Sequence, residues 1–270
     1  MAVVTLLNQL GVVSGTPWTR VRYFSTTRQG GVSKPPFNGL NLATHVADAA
    51  KDVATNRELL AAALGAMPLW LEQVHGTDVF DADTHTRDAY EFQGPVAVAD
   101  AAVTSRPGVV LAVLTADCLP VVIADDQGRA VGVAHAGWRG LAAGVLENTL
   151  QVLRARLPAG AVLRAWIGPA ISQGVFEVGA DVYQAFCDSN PENRAYFVTR
   201  LPGAPDAPPK WLADLPGIAR QQLVRAGALN VECSGWCTLR NPDLFYSYRS
   251  QAVTGRMATL VWIDSATDLP

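Results

Sequence analysis

Apolar residues run almost unbroken from Val109 to Ala124 and again from Ala130 to Ala136, VVLAVLTADCLPVVIA and AVGVAHA, with the polar turn Asp125-Asp126-Gln127-Gly128 near their junction. Two such runs around one polar turn predict buried strands folded back as an antiparallel hairpin. With those four residues as the loop, Ala124 pairs with Arg129. Each step back on one strand matches a step forward on the other, so Cys118 is predicted to face His135. Opposed residues share a face of the sheet, with Cβ atoms on the order of 5 Å apart. That separation suits two ligands of one metal, or a thiol and its base. Pro120 strains the pairing, because proline cannot donate to a ladder and belongs on an edge or at a bulge.

Helical spacing appears elsewhere. Leu59, Leu60, Ala63 and Leu64 predict a helix over 53–66, stopped by Gly65 and Pro68. Leu146, Leu150, Leu153 and Leu157 predict a second helix, Val182, Ala185 and Phe186 a third, and Leu212, Leu215, Ile218 and Leu223 a fourth over 211–226 that Pro216 kinks or restarts. VRYFSTT, the segment 69–74 that ends on His75, and 162–167 read as strands. Residues 245–249 and 255–262 are predicted to form a hairpin closing a sheet. The acidic stretch 81–94 and the proline-rich stretch 201–210 read as loops, the second as an insertion.

At 270 residues and 49% hydrophobic, the chain can bury a sizeable core in one large domain or two small ones. The net charge of -3, with no long run of either sign, gives no electrostatic footprint for nucleic acid or an anionic membrane. The N-terminus lacks a basic, cleavable signal, so a reduced cytoplasm is expected for the four cysteines, at 118, 187, 233 and 237. Asp117 and Pro120 interrupt the longest apolar stretch, and no transmembrane segment is predicted.

Arg28 stands beside the turn Gly30-Gly31, which reads either as an anion-binding loop or as a surface loop with a solvated arginine. Arg139 in HAGWRG falls at a predicted helix N-terminus. There the glycines either open an anion site or only relieve crowding in a tight turn. Cys187 reads as a small buried hydrophobe, and Cys233 and Cys237 in CSGWC match neither a zinc-ribbon nor a thioredoxin spacing. His75, Cys118 and His135 form a candidate His-Cys-His site. Three ligands leave one coordination position open, as in catalytic zinc sites. A metal-free alternative takes Cys118 as a nucleophile with His135 or His75 as its base.

The segments TTRQGGVS, LNLATHV, EQVHGTDV, ADAAVT, TADCLPV, AHAGWRG, IGPAIS, FEVG, WCT, FYSYR and GRMA occur in this order along most of the chain. In them the sequence resembles the YfiH family, also called the laccase-domain-containing or peptidoglycan-editing-factor family of purine nucleoside phosphorylases. The resemblance implies a single-domain α+β fold with a mixed, layered β core flanked by helices, α/β/β/α in outline, and zinc held by His75, Cys118 and His135. It also implies phosphorolysis of adenosine, inosine, guanosine and methylthioadenosine, with deamination of adenosine. Arg28, Arg139 and Arg249 are then candidates for phosphate, because guanidinium groups match its oxygens in pairs. Asn41 is a candidate polar contact to ribose or phosphate, and Asp100 and Asp117 are the carboxyls considered for protonating the departing base. Purine nucleosides and phosphate are the expected partners of a monomer.

Three other readings stay open. Copper can occupy the same ligands, since two histidines and a cysteine are also the blue-copper set, and this would support a polyphenol oxidase. Four histidines, at 45, 75, 85 and 135, are too few for the mononuclear and trinuclear centres of a multicopper laccase. A non-catalytic, metal-stabilised binding protein and a cysteine hydrolase are the others.

Overall fold

β7 (Leu111–Thr115), β8 (Leu119–Asp125) and β9 (Val131–Ala136) are buried at every residue. A strand covered on both faces loses the alternation of apolar and polar positions. The unbroken runs therefore require cover above and below, and the chain supplies it in four layers. The structure, a computed structural model, describes residues 10–84, 97–200 and 208–265.

Two sheets form the centre. The larger holds β4 (Val79–Asp81), β6 (Ala101–Thr104), β8, β9, β10 (Leu163–Ile167) and β14 (Ala228–Cys233), in the order β14-β10-β8-β9-β6-β4. The smaller holds β1 (Val12–Val13), β2 (Val21–Thr26), β7 and β15 (Met257–Ile263), in the order β1-β2-β15-β7. They pack face to face, with Val122, Val133 and Trp166 of the first against Tyr23, Val113 and Val261 of the second. The outer face of the larger sheet carries Leu119, Val121 and Ile123. It is covered by α2 (Trp138–Ala143), α3 (Val145–Arg154), α4 (Ala180–Cys187) and α5 (Leu215–Arg225). The outer face of the smaller sheet carries Phe24, Leu114 and Leu260, which meet Leu60 and Ala63 of α1 (Ala50–Leu64). This is the expected α/β/β/α arrangement. Two small sheets complete it: the parallel pair β3 (Leu71–Glu72) and β5 (Ala97–Val98), and the three strands β11 (Glu177–Val178), β12 (Phe197–Arg200) and β13 (Lys210–Ala213).

The buried positions of α1 are Val53, Asn56, Leu60 and Ala63, one stripe of a helix, and Gly65 ends it at φ 72° with its N–H donating to Ala61 O. Asn56 is the polar member of that stripe. It accepts from Val32 N at 2.8 Å and donates to the carbonyls of Gly39 and Asn41, so the helix fixes the loop that carries Arg28 and Asn41.

The central hairpin forms, but its register differs from the predicted one. Asp125 stays in the strand opposite Ala130, and the loop is Asp126 to Arg129. The cause is the buried Asp125 carboxylate, which accepts from Arg129 N at 2.5 Å and Arg129 Nε at 2.6 Å and folds the loop back onto the strand end. Pro120 therefore faces His135 and Leu119 faces Ala136. Because the slip is two residues and the side-chain period is two, Cys118 stays on the face of His135. The proline finds its place as well. His135 N donates to Asp100 O on the neighbouring strand, so Pro120 and His135 form a pair without mutual ladder bonds. On its other side Pro120 lies one step past the last β8–β10 pair, Val121 with Ile167, where only its carbonyl is used, by Gly168 N at 2.9 Å.

Three further expectations change. The helix expected over 211–226 begins at Leu215, after β13; Asp214 caps it by accepting from Gly217 N, with Pro216 in the first turn. Residues 245–249 form no strand, because their backbone donors go elsewhere, Phe245 N to Asn241 O, Tyr246 N to Met257 Sδ and Arg249 N to Asp117, and β15 lies between β2 and β7. The strand before His75 is only Leu71–Glu72, since Gln73 bonds through its side chain: its amide donates to Leu114 O at 2.9 Å and accepts from Leu114 N at 2.7 Å. Most of the acidic loop and of the proline-rich insertion lies outside the described residues.

Candidate metal centre

The chain passes from the smaller sheet to the larger in three residues, Ala116 to Cys118, between β7 and β8. So short a crossing needs a sharp turn, and Asp117 makes it at φ 92°, outside the usual range for a residue with a side chain. The turn is held by its own carboxylate. Oδ1 accepts from Thr238 Oγ1 at 2.5 Å, and Oδ2 accepts from Ser247 Oγ at 3.0 Å and Arg249 N at 2.7 Å. Cys118 is thereby set where the two sheets meet, beside the end of β9, which closes on His135 and Ala136.

His75 arrives from the loop after β3 with a second positive φ, 60°. Asp100 holds that loop, accepting from Val74 N at 3.1 Å, His75 N at 3.0 Å and Gly76 N at 2.7 Å. The same carboxylate accepts the Nδ1–H of His135 at 2.7 Å. With Nδ1 committed as a donor to Asp100, Nε2 of His135 is the nitrogen left to meet Cys118 or, once it has given up its proton, a metal. The two imidazoles stand edge to face, 4.7 Å between centroids, and Cys118 Sγ is 3.9 Å from His75 Nε2.

The ligand atoms of His75, Cys118 and His135 all lie within 4.8 Å of one another. Tetrahedral zinc holds a thiolate and an imidazole nitrogen about 3.5 Å apart, so the donor set fits a metal with a small contraction. Exposure is graded: His135 is buried, Cys118 half-buried and His75 exposed, which leaves one side open to a ligand from solvent. Burial pushes the Cys118 thiol up, but the charge and hydrogen bond of His135, and then those of His75, outweigh it and pull it down to about 6. Burial pushes His135 down, and Cys118 with Asp100 raises it to about 9. Without metal this is a thiolate–imidazolium pair at neutral pH. The thiolate is the form that ligates, and metal binding displaces the proton of His135.

The glycines of HAGWRG make room for His75. A Cβ at Gly137 would lie 2.6 Å from His75 Cδ2, and one at Gly140 would lie 2.7 Å from Gly76 O. Of the two readings of that turn, crowding is the one this packing explains. Arg139 is exposed and stacks on Trp138 at 4.4 Å, with no hydrogen bond or ion pair among the described residues. Arg249 is exposed, with its N–H on Asp117, a guanidinium bond to Glu177 O at 2.9 Å and its plane over Phe176. Arg28 lies over Tyr246 and donates to Pro242 O and Asn38 Oδ1. Asn41 is fully buried. Its Oδ1 accepts from Ala43 N and Arg256 N and its Nδ2 donates to Asp48, so it shapes the loop and has no free side-chain group.

Asp100 and Asp117 accept bonds at both oxygens, and burial of Asp100 is outweighed by His135 and the Gly76 N–H, which hold its carboxyl below the usual carboxylate range. Both carboxylates position their neighbours, and Asp100, held ionised, is a poor proton donor. Two residues escaped the sequence reading. Arg256 is half-buried, lowered by burial and supported by the charges of Cys118 and Asp117. His45 is lowered by burial, then by Arg256, Arg57 and His135. Both sit in motifs already singled out, GRMA and LNLATHV, as the ionisable member.

Fold and site together define a class: a four-layered α/β/β/α protein with a three-donor His-Cys-His centre where its sheets open. The chain belongs to the YfiH, or laccase-domain, family; the family model described as multi-copper polyphenol oxidoreductase laccase matches residues 22–264. A purine nucleoside phosphorylase of Pseudomonas aeruginosa is 44% identical over 90% of this chain and 94% of its own length. Purine nucleoside phosphorylase YfiH of Escherichia coli is 42% identical over 88% and 92%. Among solved structures, a Neisseria meningitidis protein superposes with a TM-score of 0.84 at 41% identity, covering 95% of this chain and all of that one. YfiH of Bacillus licheniformis gives 0.83 at 29% identity, covering 96% and 98%. The described residues hold one group of three metal-ligating side chains, and no helix among them is long and apolar enough to cross a membrane.

Proposed function

We propose that this chain is a zinc-dependent purine nucleoside phosphorylase acting on adenosine, inosine, guanosine and methylthioadenosine, and that it also deaminates adenosine. The observation that carries the reading is the convergence of His75, Cys118 and His135 at an open edge, in a chain 44% identical to a protein named for that activity. Zinc bound there supplies a Lewis acid with a free coordination position. Asp100 fixes the tautomer of His135 and the backbone of His75, which supports the two imidazole donors being set before metal arrives, beside Cys118 on the turn that Asp117 holds.

In phosphorolysis a phosphate oxygen bonds to the anomeric carbon as the bond to purine N9 breaks; the electron pair and a proton go to the base. Arg139 and Arg249 have exposed guanidinium groups on segments that touch the centre, and with Arg28 they are the candidates to hold the phosphate dianion. Arg256 joins them because its charge already feels Cys118. Asn41 contributes by fixing Arg256 through its backbone.

The test is adenosine incubated with folded, zinc-loaded protein, with and without phosphate, its products separated by chromatography. Adenine that needs phosphate and inosine that does not, both absent from Cys118→Ala, are expected. No product from either incubation overturns the reading for adenosine. The family description favours a second reading, copper at the same donors and oxidation of phenols. It requires phenol oxidation that rises in proportion to copper content.

A further inference from the structure

The outer helical layer holds a pocket, a cavity of about 290 Å³ between α2, α3, α4, α5 and the short 3₁₀ segment Pro191–Tyr196. Three oxygens on its lining side chains are buried with no donor among the described residues: Glu147 Oε2, Asn193 Oδ1 and Gln222 Oε1. Asn193 as a whole is 4% exposed. Neither amide can be turned to offer its nitrogen instead, because Asn193 Nδ2 donates to Phe186 O at 2.9 Å and Gln222 Nε2 to Leu141 O at 3.2 Å. Turning either would set oxygen against oxygen.

Buried acceptors in native proteins find donors. Three at one cavity, one of them a carboxylate, call for a cation with several donors. Arg225, the cation on the lining, is paired with Glu192. The remaining wall sets Ala142, Ala185, Phe186 and Ala226 beside the polar Ser189 and Asn190, so it offers an apolar strip next to the acceptors. A bare metal ion would leave that wall unused, and an anion would meet Glu147. An alkylammonium group carries three donors on an apolar stem, the same inventory as three acceptors beside a methyl-lined wall. The volume lies at the small end for ligand pockets. We propose that this pocket binds a small aliphatic primary amine, its ammonium group donating to Glu147, Asn193 and Gln222 and its methylenes lying on the alanines and Phe186.

The probe is n-butylammonium chloride, titrated calorimetrically into the metal-loaded protein beside n-butanol, its neutral counterpart, and ammonium chloride, its head without the stem. Saturable binding of butylammonium, tighter than both controls, is expected. Glu147→Gln keeps the shape and removes the charge, and should weaken binding roughly tenfold or more. Ala185→Leu should abolish it by filling the cavity while the three oxygens remain. Butanol binding as tightly as the amine, no saturable heat with the amine, or a folded Glu147→Gln variant with unchanged affinity would each overturn the proposal. Should both variants fail to fold, the comparison of the three probes on the parent protein decides it.

Discussion

Asp100 Oδ1 lies 2.7 Å from His135 Nδ1, and the same oxygen accepts from the backbone N–H of His75 at 3.0 Å. One buried carboxylate therefore orients a ligand ring and holds the left-handed backbone of the other histidine. Asp100→Asn keeps the shape but replaces one acceptor oxygen with an NH₂ group. That group opposes either the Nδ1–H or the loop N–H groups. Zinc affinity should fall about 10- to 100-fold, the usual cost of losing an outer partner of a ligating histidine. A competition titration against a chromophoric chelator measures it. Unchanged affinity would mean that the three donors need no outside support.

Gly137 supports a second test. Its backbone, φ -62°, suits any residue, so only space is at stake. The Cβ of Gly137→Ala would lie 2.6 Å from His75 Cδ2 and 3.2 Å from Cys118 Sγ. His75 must move while the sheet beneath stays. Metal content should drop sharply, with an unfolding midpoint for the metal-free protein close to that of the parent. A variant that retains full zinc would show that the His75 loop yields freely, against the clamp assigned to Asp100.

A third prediction concerns pH and lies away from the metal. Asp83 ties the ends of the parallel strands β4 and β6 together, accepting from Thr104 and Ser105. Burial raises its carboxyl, but Ser105, Thr104 and then Arg156 outweigh it and hold it below the usual carboxylate range. A group depressed in the folded state adds stability above its unfolded pKa, about 3.9, and loses it as pH falls through the folded value. Asp83→Asn should therefore cost about 1–2 kcal/mol at pH near 7, and this difference should shrink as the pH falls below the ordinary carboxylate range. Urea unfolding of both proteins across that interval measures it. A difference independent of pH would assign the loss to packing.

The legible parts of this molecule were those written in one continuous stretch. The double-sided burial of β7 to β9, the helix stripe of α1 and the two-residue period that keeps Cys118 with His135 all follow from local pattern. What escaped was side chains replacing backbone. Gln73 stands in for a strand by bonding both the N–H and the carbonyl of Leu114, Asp125 extends a strand by bonding its own loop, and Met257 Sδ and Asp117 take backbone donors of Tyr246 and Arg249 that a hairpin would have used. No periodicity records such bonds. The place of Arg256 near Cys118 was also hidden, because the two are far apart in the chain and only the sheet order β2-β15-β7 brings them together.

The two histidines of the centre should differ when each is removed. His135 is buried, and its Nδ1–H serves Asp100, which is fully enclosed. His75 is exposed, and its backbone rather than its ring bonds to Asp100. His135→Ala therefore leaves a buried carboxylate short of a donor, a loss of about 1–3 kcal/mol, and opens a void beside Cys118. His75→Ala leaves every Asp100 bond in place and relieves no packing in the core. Both variants lose a metal donor, so both should lose zinc affinity and turnover. Metal-free protein separates the two roles: in urea, His135→Ala should unfold well before the parent while His75→Ala unfolds close to it. Equal destabilisation by both would show that the exposed ring also stabilises the folded chain, and the division of labour argued from Asp100 would fail.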